Sequence, residues 1–198
     1  MNSKVTSTTT NAELVKELRA RTGAGIIDCR NALAAAGGDL EKAVEILKAK
    51  GLASAQKKSG RAAGEGLIEA YVHTGGKVGA MVEVNCETDF VARTDEFKRL
   101  ARDLSMQVTA TAPLFVSREE VPAATLEAQR AVFAADLVGK PAAAVEGRLE
   151  KWIQEVVLLE QPFIKDESKR VGDLVTETVA KVGENIQVRR FARFKTGE

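Results

Sequence analysis

The chain has 198 residues, 44% of them hydrophobic and 5% aromatic, enough for one substantial core or a small domain beside a medium one. Lys and Arg number 29 against 28 Asp and Glu, a net charge of +1, which argues against a dominant nucleic-acid or membrane surface, since both need excess positive charge. No apolar run reaches the roughly 18 residues of a membrane span, and two cysteines without a secretory signal read as free thiols of a reducing compartment, so a soluble cytoplasmic protein is expected.

The polar start, Met1 to Thr10, lacks the apolar segment of a signal peptide and reads as a disordered tail. Thr10 with Glu13 forms a capping box ahead of a helix with Leu14, Val15 and Leu18 on one stripe; Gly23 and Gly25 stop it. A second helix places Cys29, Ala32, Leu33 and Ala36 on one face. Ile26 extends that stripe backwards and Ile27 does not; at this glycine-flanked corner both core and exposed placements stay open. Gly37-Gly38 ends the second helix, and Asp39 caps a third with Leu40, Ala43, Val44 and Leu47 at core spacing, closed by Gly51. Residues 11–52 therefore read as a three-helix bundle. Residues 53–64 read as a linker, whose Lys57, Lys58 and Arg61 lack the aromatic neighbours of a nucleic-acid patch.

Residues 65–198 read as an α+β core. Ile68, Ala70 and Val72 alternate in one strand, and Val78, Ala80, Val82, Val84 and Cys86 in the next. Placing both sets on one face pairs Val72 with Val78, Ala70 with Ala80 and Ile68 with Val82, across an odd loop containing Gly75-Gly76. The second strand then runs into Thr88-Asp89-Phe90-Val91. Phe90 is either a plug under the sheet, as large apolar side chains are mostly buried, or a wedge shown to a partner from a connecting loop. Thr94 or Asp95 caps a helix bearing Phe97, Leu100, Ala101, Leu104 and Val108. Ser117 with Glu120 suggests another capping box before a helix near 123–138, and Pro141 suits the first turn of the next. That helix carries Val145, Leu149, Trp152, Ile153 and Val156, and Val157-Leu158-Leu159 widen its apolar face up to Pro162. A last helix around Val171 to Val182 ends at Gly183. Ile186 to Phe194 reads as the third strand of an antiparallel sheet, with Arg190 on the face of Ile186 and Val188, which requires a bulge or a paired arginine.

Catalysis finds little support. His73 lies by the hairpin turn and Cys86 at the strand's far end, roughly 30 Å away at about 3.3 Å per residue. One histidine cannot build a histidine-rich metal site, and no G-x-x-x-x-G-K-[ST] phosphate loop is present. No enzyme, metal or cofactor is expected.

Three stretches carry a family resemblance. Glu83-Val84-Asn85-Cys86-Glu87 followed by Thr88-Asp89-Phe90-Val91, Thr22-Gly23-Ala24-Gly25-Ile26-Ile27-Asp28-Cys29, and Val182-Gly183-Glu184-Asn185-Ile186-Gln187-Val188-Arg189-Arg190 closely resemble the bacterial elongation factor Ts family, in family order. The resemblance implies a ubiquitin-associated-like fold for the first domain and guanine-nucleotide exchange on the GTPase elongation factor Tu. It implies that Phe90 intrudes into the partner's nucleotide domain and dislodges Mg²⁺, that Asp89 orients, and that Thr88 and Val91 frame it. Arg19, Ile26 and Ile27 would add contacts, tipping the corner toward exposure of at least one isoleucine. No direct GDP binding is implied. Long members carry two core subdomains and a coiled-coil insertion; this chain has one core and resembles the short form, in which a homodimer supplies the second, giving a 2:2 complex. The wide face at Trp152 to Leu159 suits that interface, though extra core burial explains it nearly as well. The alternative function is an adaptor that uses the first domain alone, without exchange activity.

Overall fold

Glycine and aspartate punctuate the opening helices. In this computed structural model the backbone is described for residues 3–198 and the side chains from Ala12 onward. Of the tail expected over 1–10, Met1 and Asn2 lie outside the described residues and the backbone from Ser3 belongs to the first helix; the side chains up to Asn11, and with them the cap expected at Thr10, also lie outside the description. Helix α1 is Ser3–Thr22, α2 is Ile26–Ala35 and α3 is Leu40–Lys58. Gly23 ends α1 with a φ of 66°, a backbone state glycine adopts without steric cost. The Asp39 carboxylate caps α3 by accepting from the Lys42 amide at 3.1 Å. The helix does not stop at Gly51 but continues to Lys58, so the first half of the expected linker is helical. One internal glycine costs only about 1 kcal/mol against alanine, and the following alanines and lysines favour helix.

The chain divides into two compact units. The first holds residues up to Ala62 together with Thr176–Asn185. Its core is Leu18, Cys29, Ala32, Leu33 and Ala43, all buried, with Leu14, Val15, Val44 and Leu47 packed around them. Asn185, itself buried, donates through Nδ2 to the carbonyls of Arg61 at 2.8 Å and Ser59 at 3.4 Å. A segment distant in sequence is thereby tied to the end of α3.

The second unit is Ala63–Val175 with Ile186–Glu198. In chain order it contains β1 (Glu65–Val72), β2 (Val78–Cys86), α4 (Asp89–Ala92), α5 (Asp95–Thr111), α6 (Ala123–Asp136), α7 (Ala142–Val156), β3 (Pro162–Phe163) and β4 (Asp166–Arg170). Helix α8 (Val171–Val182) begins in this unit and ends in the first, and β5 is Ile186–Lys195. The sheet is antiparallel with order β1-β2-β5. Helix α5 covers one face through Phe97, Leu100, Ala101, Leu104 and Val108. The fold is α+β, as expected.

The hairpin register is one residue away from the expected one. Val72 pairs with Gly79, Tyr71 with Ala80, Glu69 with Val82 and Leu67 with Val84. Ile68 and Val72, expected in the core, lie on the outer face at 59% and 66% exposure. A slip of one residue exchanges the faces of a whole strand, and the turn decides it. The amide of His73 donates to Val78 O and that of Gly76 to His73 O, each at 2.9 Å, so the turn encloses the even stretch Thr74–Lys77. The polar members of the inner face, Glu69 and Tyr71, are accommodated at the sheet's edge by Arg102 of α5. It donates to Glu69 Oε1 at 3.0 Å and sits 4.9 Å above the Tyr71 ring.

Strand β5 uses both devices its sequence called for. A bulge displaces the register between Glu83, paired with Arg190, and Val84, paired with Val188, and Arg190 Nε donates to Glu83 Oε2 at 2.6 Å. Beyond the bulge, Phe191 pairs with Val82.

The wide apolar run after Trp152 is core. Ile153 and Val157 are buried with Val121, Phe133, Val145 and Leu149, and Trp152 packs against them. Leu158 is fully buried, its amide donating to Phe115 O at 2.9 Å. Trp152, Val156 and Leu159 are only half-buried, so core burial accounts for Ile153, Val157 and Leu158 of the wide face. Ser117 makes no side-chain cap; instead Glu120 Oε2 accepts from the Val116 amide at 2.9 Å. The β3–β4 hairpin, absent from the sequence reading, is held to α5 by the buried Gln107. Its Nε2 donates to Gln161 Oε1 at 3.0 Å and Pro162 O at 3.1 Å, and its Oε1 accepts from the Ile164 amide at 2.9 Å. Among the described residues no helix is long and apolar enough to cross a membrane.

Candidate partner-binding site

Strand β2 delivers its last residue, Cys86, to the core and then turns sharply. Cys86 Sγ donates to Thr88 O at 3.1 Å. Thr88, in extended backbone geometry, accepts through Oγ1 from the Val91 amide at 3.4 Å and so caps α4. Three residues after Val91, Thr94 Oγ1 donates to Val91 O at 2.8 Å and accepts from the Phe97 amide at 3.3 Å, starting α5. Two threonine caps thus pin a single helical turn between strand and helix.

That turn has two unlike sides. Val91 and Ala92 are buried at 5% and 7% exposure, anchoring it to the core. Phe90 stands out at 77% exposure, in a chain that buries Phe97 fully. Phe90 is therefore not the plug under the sheet; Val91 and Phe97 occupy the inner side. Asp89 and Arg93 form an ion pair across the turn, beside the projecting ring. An isolated exposed phenylalanine on a doubly capped turn is a rigid apolar projection in a polar rim, the composition of an interface anchor.

In the first unit Arg19 is exposed on α1. Ile26 and Ile27 open α2 directly after Gly25 and are exposed at 59% and 66%. Both isoleucines, including the one whose spacing extended the core stripe, face solvent, since Leu18, Cys29 and Leu33 already fill the bundle core.

The groups weighed for catalysis do not form a site. Cys86 is buried beside Thr88, whereas His73 is exposed and shares a 3.1 Å hydrogen bond with the Tyr71 hydroxyl at the opposite end of the hairpin. No group of three or more His, Cys, Asp or Glu among the described residues is placed to hold a metal ion.

Comparison with known proteins decides the family. A family model described as Elongation factor TS matches residues 50–198. The chain belongs to the elongation factor Ts family. It is 58% identical over 193 residues to elongation factor Ts of Carboxydothermus hydrogenoformans, covering 94% of this chain and 89% of that one. It is 59% identical over 189 residues to that of Herpetosiphon aurantiacus, covering 92% and 96%. With that of Thermotoga petrophila it shares 54% identity over 190 residues, covering 94% and 96%. Among the described residues the chain carries one three-stranded sheet, which fits the short form of the family with a single core subdomain.

Two features of this family member were missed in the sequence. The Asp89–Arg93 pair was signalled by its i,i+4 spacing. The apolar outer face of the sheet, with Ile68, Val72, Met81 and Phe194 exposed, needed the register and the bulge and had no reliable sequence signal.

Proposed function

We propose that this chain is a translation elongation factor that acts as guanine-nucleotide exchange factor for the GTPase elongation factor Tu in the cytoplasm. The observation that carries the reading is Phe90, 77% exposed between buried Val91 and the Thr88 cap. A GTPase holds GDP through a phosphate-cradling loop and a Mg²⁺ ion bridging phosphate oxygens to protein. Phe90 enters the partner's nucleotide domain as a wedge and Mg²⁺ is dislodged from its site there. Asp89 orients the contact through hydrogen bonds, and Thr88 and Val91 fix the turn's backbone. Arg19, Ile26 and Ile27 add contacts from the first unit. The chemistry belongs to the partner: this chain forms no covalent intermediate, needs no cofactor, touches no GDP and engages neither nucleic acid nor membrane.

The same reading includes a homodimer in a 2:2 complex with the GTPase. With Ile153, Val157 and Leu158 buried and Trp152, Val156 and Leu159 half-buried, the interface we propose is the outer face of the sheet. Three rows cross it, Val72-Gly79-Phe194, Ala70-Met81-Ala192 and Ile68-Glu83-Arg190. Val72, Met81 and Phe194 are exposed at 66%, 48% and 72%. A second copy's sheet is the natural cover, because two sheets with apolar inner faces pack about 10 Å apart as a sandwich, whereas a three-stranded sheet alone leaves one face to water. Release of fluorescently labelled GDP from elongation factor Tu, with and without this protein, tests the function. Equal rates would reject exchange and leave the adaptor reading.

A further inference from the structure

We propose that Arg93 is a positioning residue for Asp89, holding the carboxylate in its docking rotamer before the partner arrives; this rests on the exchange reading above. Arg93 is the C-cap of α4, and its amide donates to Phe90 O at 3.3 Å. Its backbone is therefore fixed to the residue that carries the exposed ring. From there the guanidinium reaches back one turn, Nη2 donating to Asp89 Oδ2. Asp89 and Arg93 thus bracket Phe90 in sequence and lie one above the other on the turn. Thr88 caps the turn on one side and Thr94 begins α5 on the other, so the turn's backbone is set without Arg93. What Arg93 adds is restriction of one side chain.

Asp89 is solvent-exposed, with 61% of its side chain accessible. Unpaired, such a side chain distributes among about three staggered χ1 wells. A partner that binds only one of them sees its apparent affinity reduced by the competent fraction. An exposed ion pair favours its rotamer about two- to fivefold, which raises that fraction from about one third to between one half and seven tenths, so losing Arg93 should weaken docking about 1.5- to 2-fold. The effect belongs to the concentration of factor needed for half-maximal stimulation. The maximal exchange rate at saturation stays unchanged, because the docked geometry is the same.

The test is a double-mutant cycle on the full chain, titrating wild type, Arg93→Ala, Asp89→Ala and the double variant against elongation factor Tu loaded with labelled GDP. The expected result is an about 1.5- to 2-fold higher half-maximal concentration for Arg93→Ala, no further loss when Arg93→Ala is added to Asp89→Ala, and recovery of most of the loss in Arg93→Lys. The gap should narrow at about 0.5 M salt, where exposed charges are screened. An Arg93→Ala loss of the same size in the Asp89→Ala background means that Arg93 meets the partner itself and overturns the proposal, as does an Arg93→Ala variant equal to wild type. A wild-type protein that leaves GDP release unchanged overturns the exchange reading and this inference with it.

Discussion

Replacing Phe90 by alanine separates the two fates an aromatic side chain can have. The ring is 77% exposed, so truncation removes little buried surface from the folded chain, and stability should change by less than about 1 kcal/mol against the 3–5 kcal/mol of a fully buried phenylalanine. At the interface the same exposure becomes the stake. A phenylalanine offers roughly 150–250 Å², so covering the exposed part removes roughly 115–190 Å² from water, an upper limit of about 3–5 kcal/mol at 25 cal/mol per Å². Interface anchors cost about 2–4 kcal/mol when truncated, and each 1.4 kcal/mol is about tenfold. Stimulation of GDP release should therefore fall by one to three orders of magnitude, on the order expected if that energy is realised in the GDP-releasing state. Stopped-flow release of labelled GDP, beside thermal melts followed by circular dichroism, reads both quantities. By linkage, bound GDP and the factor must loosen each other by the same ratio, and this antagonism should shrink in the variant. A Tm many degrees lower with wild-type exchange in the cold would refute the reasoning.

The other predictions address the remaining surfaces and the core. Sedimentation should give about twice the 21.2 kDa chain mass, and Met81→Asp with Phe194→Asp on the outer sheet face should yield a folded monomer; a dimer that survives both charges would reject that interface. Ile26→Ala with Ile27→Ala should weaken GTPase binding while leaving the helical signal intact, since both side chains face solvent; loss of helicity at room temperature would reject the contact role. Gly66→Ala should destabilise the second unit by about 1–3 kcal/mol, because the φ is 145° and a Cβ would lie 2.1 Å from Val84 O; urea unfolding measures it. Arg118 hydrogen-bonds to Glu150 and holds that carboxyl below its usual range. A depressed carboxylate contributes stability that is fully present above its unfolded value, about 4.3, and is lost as pH falls through the lower folded value. Arg118→Ala should flatten that acid limb by less than about 1 kcal/mol, given 42% and 47% side-chain exposure of the pair.

Local chemistry determined much of this protein directly. Asp39 before Leu40, Thr94 before Asp95 and Pro141 before Ala142 marked helix starts where the structure has them, because caps and helix-entry residues act within one turn. The Thr88–Val91 stretch was visible as an aromatic in a polar connection. Tertiary structure decided what local periodicity leaves degenerate. Alternation in β1 fitted either face, and the even turn at Thr74–Lys77 chose the one that exposes Ile68 and Val72. The apolar excess at Trp152–Leu159 fitted an interface and, nearly as well, a core, and packing with Phe115 and Phe133 put Ile153, Val157 and Leu158 in the core. Ile26 matched a helical stripe, yet Leu18, Cys29 and Leu33 had already filled the bundle. In each case the sequence states that a side chain is apolar, and burial is a competition among side chains for a limited interior, settled only when the elements are packed.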